Sequence, residues 1–153
     1  MTRKVILYCL LLFSFYYGKA QVQWLTFEQL DSALTIKPKP VMVKFTTDWC
    51  VYCKKMDQEV FTDLEIIERL SSDYYAVSFD AETEESIQFD GQQYEKSSNE
   101  RFHSLAMLLA ARSGEFAPPV TIFLNESFTV EERSFTYISR KNLLKKLKKY
   151  RGN

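Results

Sequence analysis

Two residues separate Cys50 from Cys53, in the run Trp49-Cys50-Val51-Tyr52-Cys53-Lys54. Thiols at this spacing can cycle between dithiol and disulfide, form an inert cross-link, help hold a zinc ion, or attach a haem. Zinc asks for about four ligands, usually two such pairs or added histidines, and the chain has one histidine, His103. Haem attachment asks for His directly after the second cysteine, where this sequence has Lys54. A disulfide across two residues closes too small a loop to restrict the unfolded chain much. An inert cross-link stays open as an alternative, but redox chemistry accounts for the spacing best.

That chemistry depends on what holds the pair. Val41-Met42-Val43-Lys44-Phe45-Thr46 is a β-rich run that reads as a buried strand. Thr47-Asp48-Trp49 makes a short turn, with Asp48 solvated. From Cys50 to about Phe61, the residues Val51, Met56 and Val60 fit a helix. Cys50 then sits at a helix N-terminus, where unpaired N–H groups and the helix dipole favour a thiolate. Such a thiolate attacks a partner disulfide and forms a mixed disulfide. Cys53, one turn along and the more buried of the two, resolves it. Cys50 is therefore expected as the nucleophile and Cys53 as the resolving thiol.

The remaining elements supply the scaffold. Thr26 can cap a helix from Phe27 to about Thr35, which Pro38 and Pro40 stop. Asp63 can cap a second helix over Leu64 to Leu70, and Tyr74 to Phe79 reads as the next strand. Asp80 to Glu85 is an acidic connection expected to be a solvated loop. Ile87 to Tyr94 forms a hairpin around Asp90-Gly91. Ser97 and Glu100 resemble a capping box opening a helix to about Arg112, with Phe102, Leu105, Ala106 and Leu109 inward and Gly114 just past its end. His103 on this helix reads as a structural histidine. Val120 to Leu124 and Phe128 to Phe135 are two strands that can pair antiparallel. Ser139 caps a last helix, Arg140 to Tyr150, whose lysines form a solvated face. Helices would cover both faces of a mixed central sheet, an α/β arrangement.

The chain has 153 residues, 46% of them hydrophobic and 26% charged, with 12 Phe and 9 Tyr, which is room for one domain with a dense core. Its start has the layout of a secretory signal peptide. Arg3 and Lys4 precede an apolar run, Val5 to Tyr17, and Gly18-Lys19-Ala20 offers small residues for a cut after Ala20. The run is shorter than the ~20 residues of a spanning helix; an uncleaved anchor is the alternative. The expected division is a signal peptide over 1–20 and one domain over 21–153. Cleavage removes Arg3, Lys4 and Lys19, leaving 17 basic residues against 20 acidic, with no basic patch that would suggest nucleic-acid binding. It also removes Cys9, so an exported chain keeps only the Cys50–Cys53 pair. A structural framework in an exported domain usually has several pairs at wide spacing.

Residues 41–56 resemble the active-site strand, turn and helix of thioredoxin-like proteins. The Asp48-Trp49-Cys50-Val51-Tyr52-Cys53-Lys54 part is especially similar to the periplasmic thioredoxin-like domain of transmembrane disulfide reductases. Pro119-Val120-Thr121-Ile122-Phe123-Leu124 resembles the second landmark of that family, a proline ahead of a strand. The resemblance covers roughly residues 24–150. Trp49 reads as a shield packed beside the disulfide or as a core aromatic. The resemblance implies a thioredoxin fold and a cis Pro119 facing the cysteines and open to an extended substrate segment. It also implies that the insert from Ile87 to Arg112 shapes a partner surface or covers the sheet.

Two departures stand out. The family commonly has a buried acid six residues before the first cysteine, and this chain has Lys44. Its ammonium would favour a thiolate rather than take its proton, or the side chain snorkels outward. The inner dipeptide is Val51-Tyr52 rather than Gly-Pro, so the redox poise does not carry over.

The sequence thus reads as an exported thiol–disulfide oxidoreductase acting on protein thiols and disulfides, in support of reduction or isomerisation. Cys50 and Cys53 are the catalytic pair, with Trp49, Pro119 and Lys44 in support. No nucleotide or flavin motif appears, so no cofactor or metal is expected and a protein electron donor is required. A monomer with no stable membrane insertion after cleavage is the expected form. The alternatives are a cytochrome-maturation thiol reductase, a non-enzymatic peptide-binding module on the same scaffold, and copper delivery, for which the one histidine stands far from the thiols in sequence.

Overall fold

The computed structural model describes residues 20–151. The expected signal segment lies outside them, apart from Ala20. Among the described residues no helix is long and apolar enough to cross a membrane.

In chain order the elements are α1 (Phe27–Ile36), β1 (Val41–Thr46), α2 (Val51–Glu59), α3 (Leu64–Asp73), β2 (Tyr75–Asp80), β3 (Ile87–Phe89), β4 (Gln92–Tyr94), α4 (Ser104–Ala110), β5 (Val120–Leu124), β6 (Val130–Ser134) and α5 (Arg140–Lys149). The main sheet has the order β2-β1-β5-β6. β1 runs parallel to β2 and antiparallel to β5, and β6 pairs antiparallel with β5. The mixed sheet read from the sequence is therefore present, with β3 and β4 forming a separate hairpin.

Alternation along β1 divides the core. Val41, Val43 and Phe45 face α1 and α4, in a cluster with Phe27, Leu30, Phe79, Leu105 and Ile122. Met42 faces the other way, with Met56 of α2, Ile66 and Leu70 of α3, Phe123, and Leu143 and Leu147 of α5. Each face needs a helical cover because β1 is buried on both sides. The caps follow their sequence signals. Thr26 Oγ1 accepts from the Gln29 N–H at 3.2 Å while Gln29 Oε1 accepts from the Thr26 N–H at 2.9 Å, a closed capping box. Asp63 Oδ1 accepts from Glu65 and Ile66. The Asp90-Gly91 turn takes positive φ at both residues, 50° and 68°, as a two-residue hairpin requires.

The insert departs from expectation. Ser97 to Glu100 makes a turn, closed by the Glu100 N–H on the Ser97 carbonyl at 2.9 Å, and the helix begins only at Ser104. Two backbone bonds account for this: the His103 N–H donates to the Ala81 carbonyl at 2.7 Å, and the Ser104 N–H to Glu95 at 3.3 Å. Residues 95–103 are thereby tied to the end of β2 instead of coiling. The helix ends at Ala110, so Gly114 (φ 81°) is not its cap; with Ser113 (φ 53°) it forms a tight turn between Arg112 and Glu115. β6 starts at Val130 rather than Phe128, whose φ of 57° belongs to the preceding turn.

Candidate active site

β1 carries the chain through the core and releases it at Thr46. Thr47 turns it, its carbonyl accepting from the Cys50 N–H at 3.1 Å. Cys50 is the N-cap of α2 and Cys53 lies in the first turn. The two are joined as a disulfide, with Cα atoms 5.3 Å apart. The Cys53 N–H donates to Cys50 Sγ at 3.1 Å. An otherwise unpaired helix N–H is thus directed at the sulfur where negative charge would develop. Cys50 is 4% exposed and Cys53 1%, so Cys53 is the deeper of the two. Around them Trp49, Val51 and Tyr52 stand open to solvent.

Pro119 is buried, and the Pro118–Pro119 bond is cis. Val120 pairs with Phe45 in the β5–β1 register. Continuing that register sets Pro119 across from Thr46, at the strand end from which the cysteine turn departs. The second sequence landmark therefore lies beside the first.

Lys44 does not snorkel. It is 4% exposed, its ammonium pairs with the Asp57 carboxylate, and it lies 4.6 Å from the Trp24 ring centroid and 5.2 Å from that of Phe61. A buried ammonium needs a counter-charge and apolar cover for its stem, and it has both. Asp57 lies one helical turn beyond Cys53, on the same side of α2. Sequence reading missed Asp57; its spacing of four from Cys53 was the available signal.

Trp49 is 49% exposed rather than a core aromatic. Its indole Nε1 donates to Glu82 Oε2 at 2.9 Å. The other oxygen, Glu82 Oε1, accepts from Arg101 Nε at 2.7 Å, and the Arg101 guanidinium lies 4.6 Å from the Trp49 ring centroid. The Arg101 hydrogen bond holds the Glu82 carboxyl below the usual carboxylate range, helped by that from Trp49, against a smaller opposing effect of burial. The acidic connection is therefore not simply solvated, and Glu82 and Arg101 escaped sequence reading. His103 is fully buried. Its Nδ1 accepts from the Leu105 N–H at 3.2 Å and its Nε2 meets the Glu85 carbonyl at 3.2 Å, a structural role on the insert.

Comparison with known proteins agrees with this architecture. The family model described as a thioredoxin-like domain matches residues 27–151. The thiol:disulfide interchange protein DsbD of Campylobacter jejuni is 30% identical over 122 residues, covering 79% of this chain. The chain spans only 18% of that relative's length. Among solved structures, a thioredoxin from Thermus thermophilus superposes with a TM-score of 0.60 at 22% identity, over 84% of this chain and 86% of that one. The DsbH oxidoreductase gives 0.59 at 18% identity, over 88% of each chain. At those identities the likeness concerns the fold.

Proposed function

The chain belongs to the thioredoxin-like domain family, and on that premise we propose that it is an exported thiol–disulfide oxidoreductase that exchanges disulfides with other proteins through Cys50 and Cys53. The observation that carries this reading is the N-cap position of Cys50, whose Sγ accepts the Cys53 N–H at 3.1 Å.

In the reducing direction the Cys50 thiolate attacks one sulfur of a substrate disulfide. A Cys50–substrate S–S bond forms, and the other substrate sulfur leaves as a thiolate and takes up a proton. Cys53 loses its proton and attacks Cys50 Sγ. The Cys50–Cys53 bond forms and the second substrate thiol departs. Two electrons and two protons have moved from the pair to the substrate, and a protein dithiol donor restores them. The same steps run backwards donate a disulfide.

Pro119 and Pro118 line the strand end beside the pair. Neither has an N–H, so an extended substrate segment pairs there only with carbonyls. Lys44 supports the reduced form by placing an ammonium beneath α2. The resemblance to disulfide reductases favours support of reduction or isomerisation over oxidation. The basic start, the apolar run and the small residues before Gln21 support export, with a periplasmic location in a bacterium.

The test is reduction of insulin with dithiothreitol as electron source. Catalysed turnover that disappears in Cys50→Ser/Cys53→Ser supports the reading. Insulin binding without turnover in the unaltered protein makes it a binding module instead.

A further inference from the structure

The part of the insert between β4 and α4 carries Arg101, which meets both the Trp49 ring and the carboxylate that holds it, Glu82, besides the ring of its neighbour Phe102. Trp49, Glu82 and Arg101 close a ring of three contacts: indole to carboxylate at 2.9 Å, carboxylate to guanidinium at 2.7 Å, guanidinium to indole face at 4.6 Å. The loop bearing Arg101 is itself fastened to the loop bearing Glu82. The His103 N–H reaches the Ala81 carbonyl at 2.7 Å, Lys96 Nζ reaches the Glu82 carbonyl at 3.3 Å and pairs with Glu84, and the buried His103 ring meets the Glu85 carbonyl.

Stability does not account for the Arg101 contacts. Arg101 is 61% exposed, and ion pairs so placed contribute little to folding. The consequence of these contacts falls on Trp49, a half-exposed indole on a turn. Left free, such a side chain gives up rotamer freedom each time a partner docks on it, and holding it beforehand removes that cost from binding.

We propose that Arg101 is a positioning residue for partner recognition: with Glu82 it fixes the Trp49 indole as a rigid apolar platform beside Cys50, on which a protein disulfide docks. This rests on the exchange activity proposed above. It makes the insert part of the docking rim, and it concerns protein substrates, since a small disulfide needs only access to sulfur.

The experiment compares the full-length protein with Arg101→Ala, Trp49→Ala and the double variant, using insulin as the protein disulfide and dithiobis(nitrobenzoate) as the small one. Arg101→Ala is expected to raise KM for insulin about threefold to fivefold, the size of an exposed cation–π contact. kcat, the small-disulfide rate and the reduction potential stay at their unaltered values. In the Trp49→Ala background the Arg101 change adds nothing, because Arg101 acts through the indole. Glu82→Gln, which leaves the indole an acceptor but breaks the ion pair, raises KM in the same direction. The proposal is overturned if Arg101→Ala leaves KM for insulin unchanged, if its effect adds in full to that of Trp49→Ala, or if both disulfides slow equally. Failure of the underlying activity is a separate result: the unaltered protein would then reduce neither disulfide.

Discussion

The ammonium of Lys44, in the middle of β1, pairs with the carboxylate of Asp57, one turn beyond Cys53 on α2. The pair ties the sheet to the helix that bears the cysteines. It is also lopsided: the Lys44 side chain is 5% exposed and that of Asp57 45%. Its two halves therefore respond differently to mutation. Asp57→Ala leaves an ammonium buried without its counter-charge, which in fully buried pairs costs about 3–5 kcal/mol. The faces of Trp24 and Phe61 and the exposure of Asp57 reduce this to about 2 kcal/mol. Lys44→Met leaves a carboxylate that water can reach and changes stability by less than about 1 kcal/mol. Urea unfolding of the two variants checks the order; equal losses contradict it.

The same pair bears on the redox poise. On the role proposed for Lys44, removing its ammonium takes away a charge that favours the thiolate of the reduced form. Lys44→Met is expected to shift the Cys50–Cys53 equilibrium toward the disulfide, giving a more negative potential in a glutathione buffer. An unchanged potential would confine Lys44 to a structural role.

Thr121 stands opposite Lys44 in the β5–β1 register. Its hydroxyl is buried and has no hydrogen-bond partner among the described residues. A buried hydroxyl in that condition costs about 1–3 kcal/mol. Thr121→Val, nearly equal in shape, is expected to leave stability unchanged or raise it by about 1 kcal/mol. A fall in the thermal midpoint contradicts this.

Burial pushes the His103 imidazole below its ordinary range, outweighing the Glu85 and Tyr94 carbonyls and the nearby Glu84 and Glu95. The folded protein thus holds His103 neutral, with Nδ1 accepting from Leu105, while the unfolded chain binds a proton more readily. The stability this group contributes is complete above the unfolded imidazole value, about 6.5, and is lost as pH falls from there through the lower folded value. The slope in that window is at most about 1.4 kcal/mol per pH unit. Denaturation between pH 5 and 7.5 should show it, and His103→Asn should flatten it. An equal slope in the variant assigns the effect to other groups.

How far the sequence was readable depends on how local each signal was. The strand 41–46, the cap at Thr26, the turn at Asp90-Gly91 and the helix after Cys50 rest on neighbours within a few residues, and each formed where its residues indicated. The helix expected from Ser97 did not, because its backbone groups are claimed by Ala81 and Glu95, which no local pattern reveals. The site divides the same way. Cys50 and Cys53 were visible from spacing. Glu82 and Arg101 were not, since their partner Trp49 lies 33 and 52 positions away in sequence; Asp57 shares a helix side with Cys53 by its spacing of four, but its pairing with Lys44, 13 positions away, arises only in the fold.

The most direct test is to trap the exchange intermediate. Cys53→Ser retains the attacking thiol and removes the resolving one. Incubated with insulin and analysed by mass spectrometry, it is expected to accumulate a disulfide linking Cys50 to an insulin chain, whereas Cys50→Ser accumulates little. Equal trapping at either cysteine, or none at Cys50, would contradict the assignment of Cys50 as nucleophile and with it the account of the site.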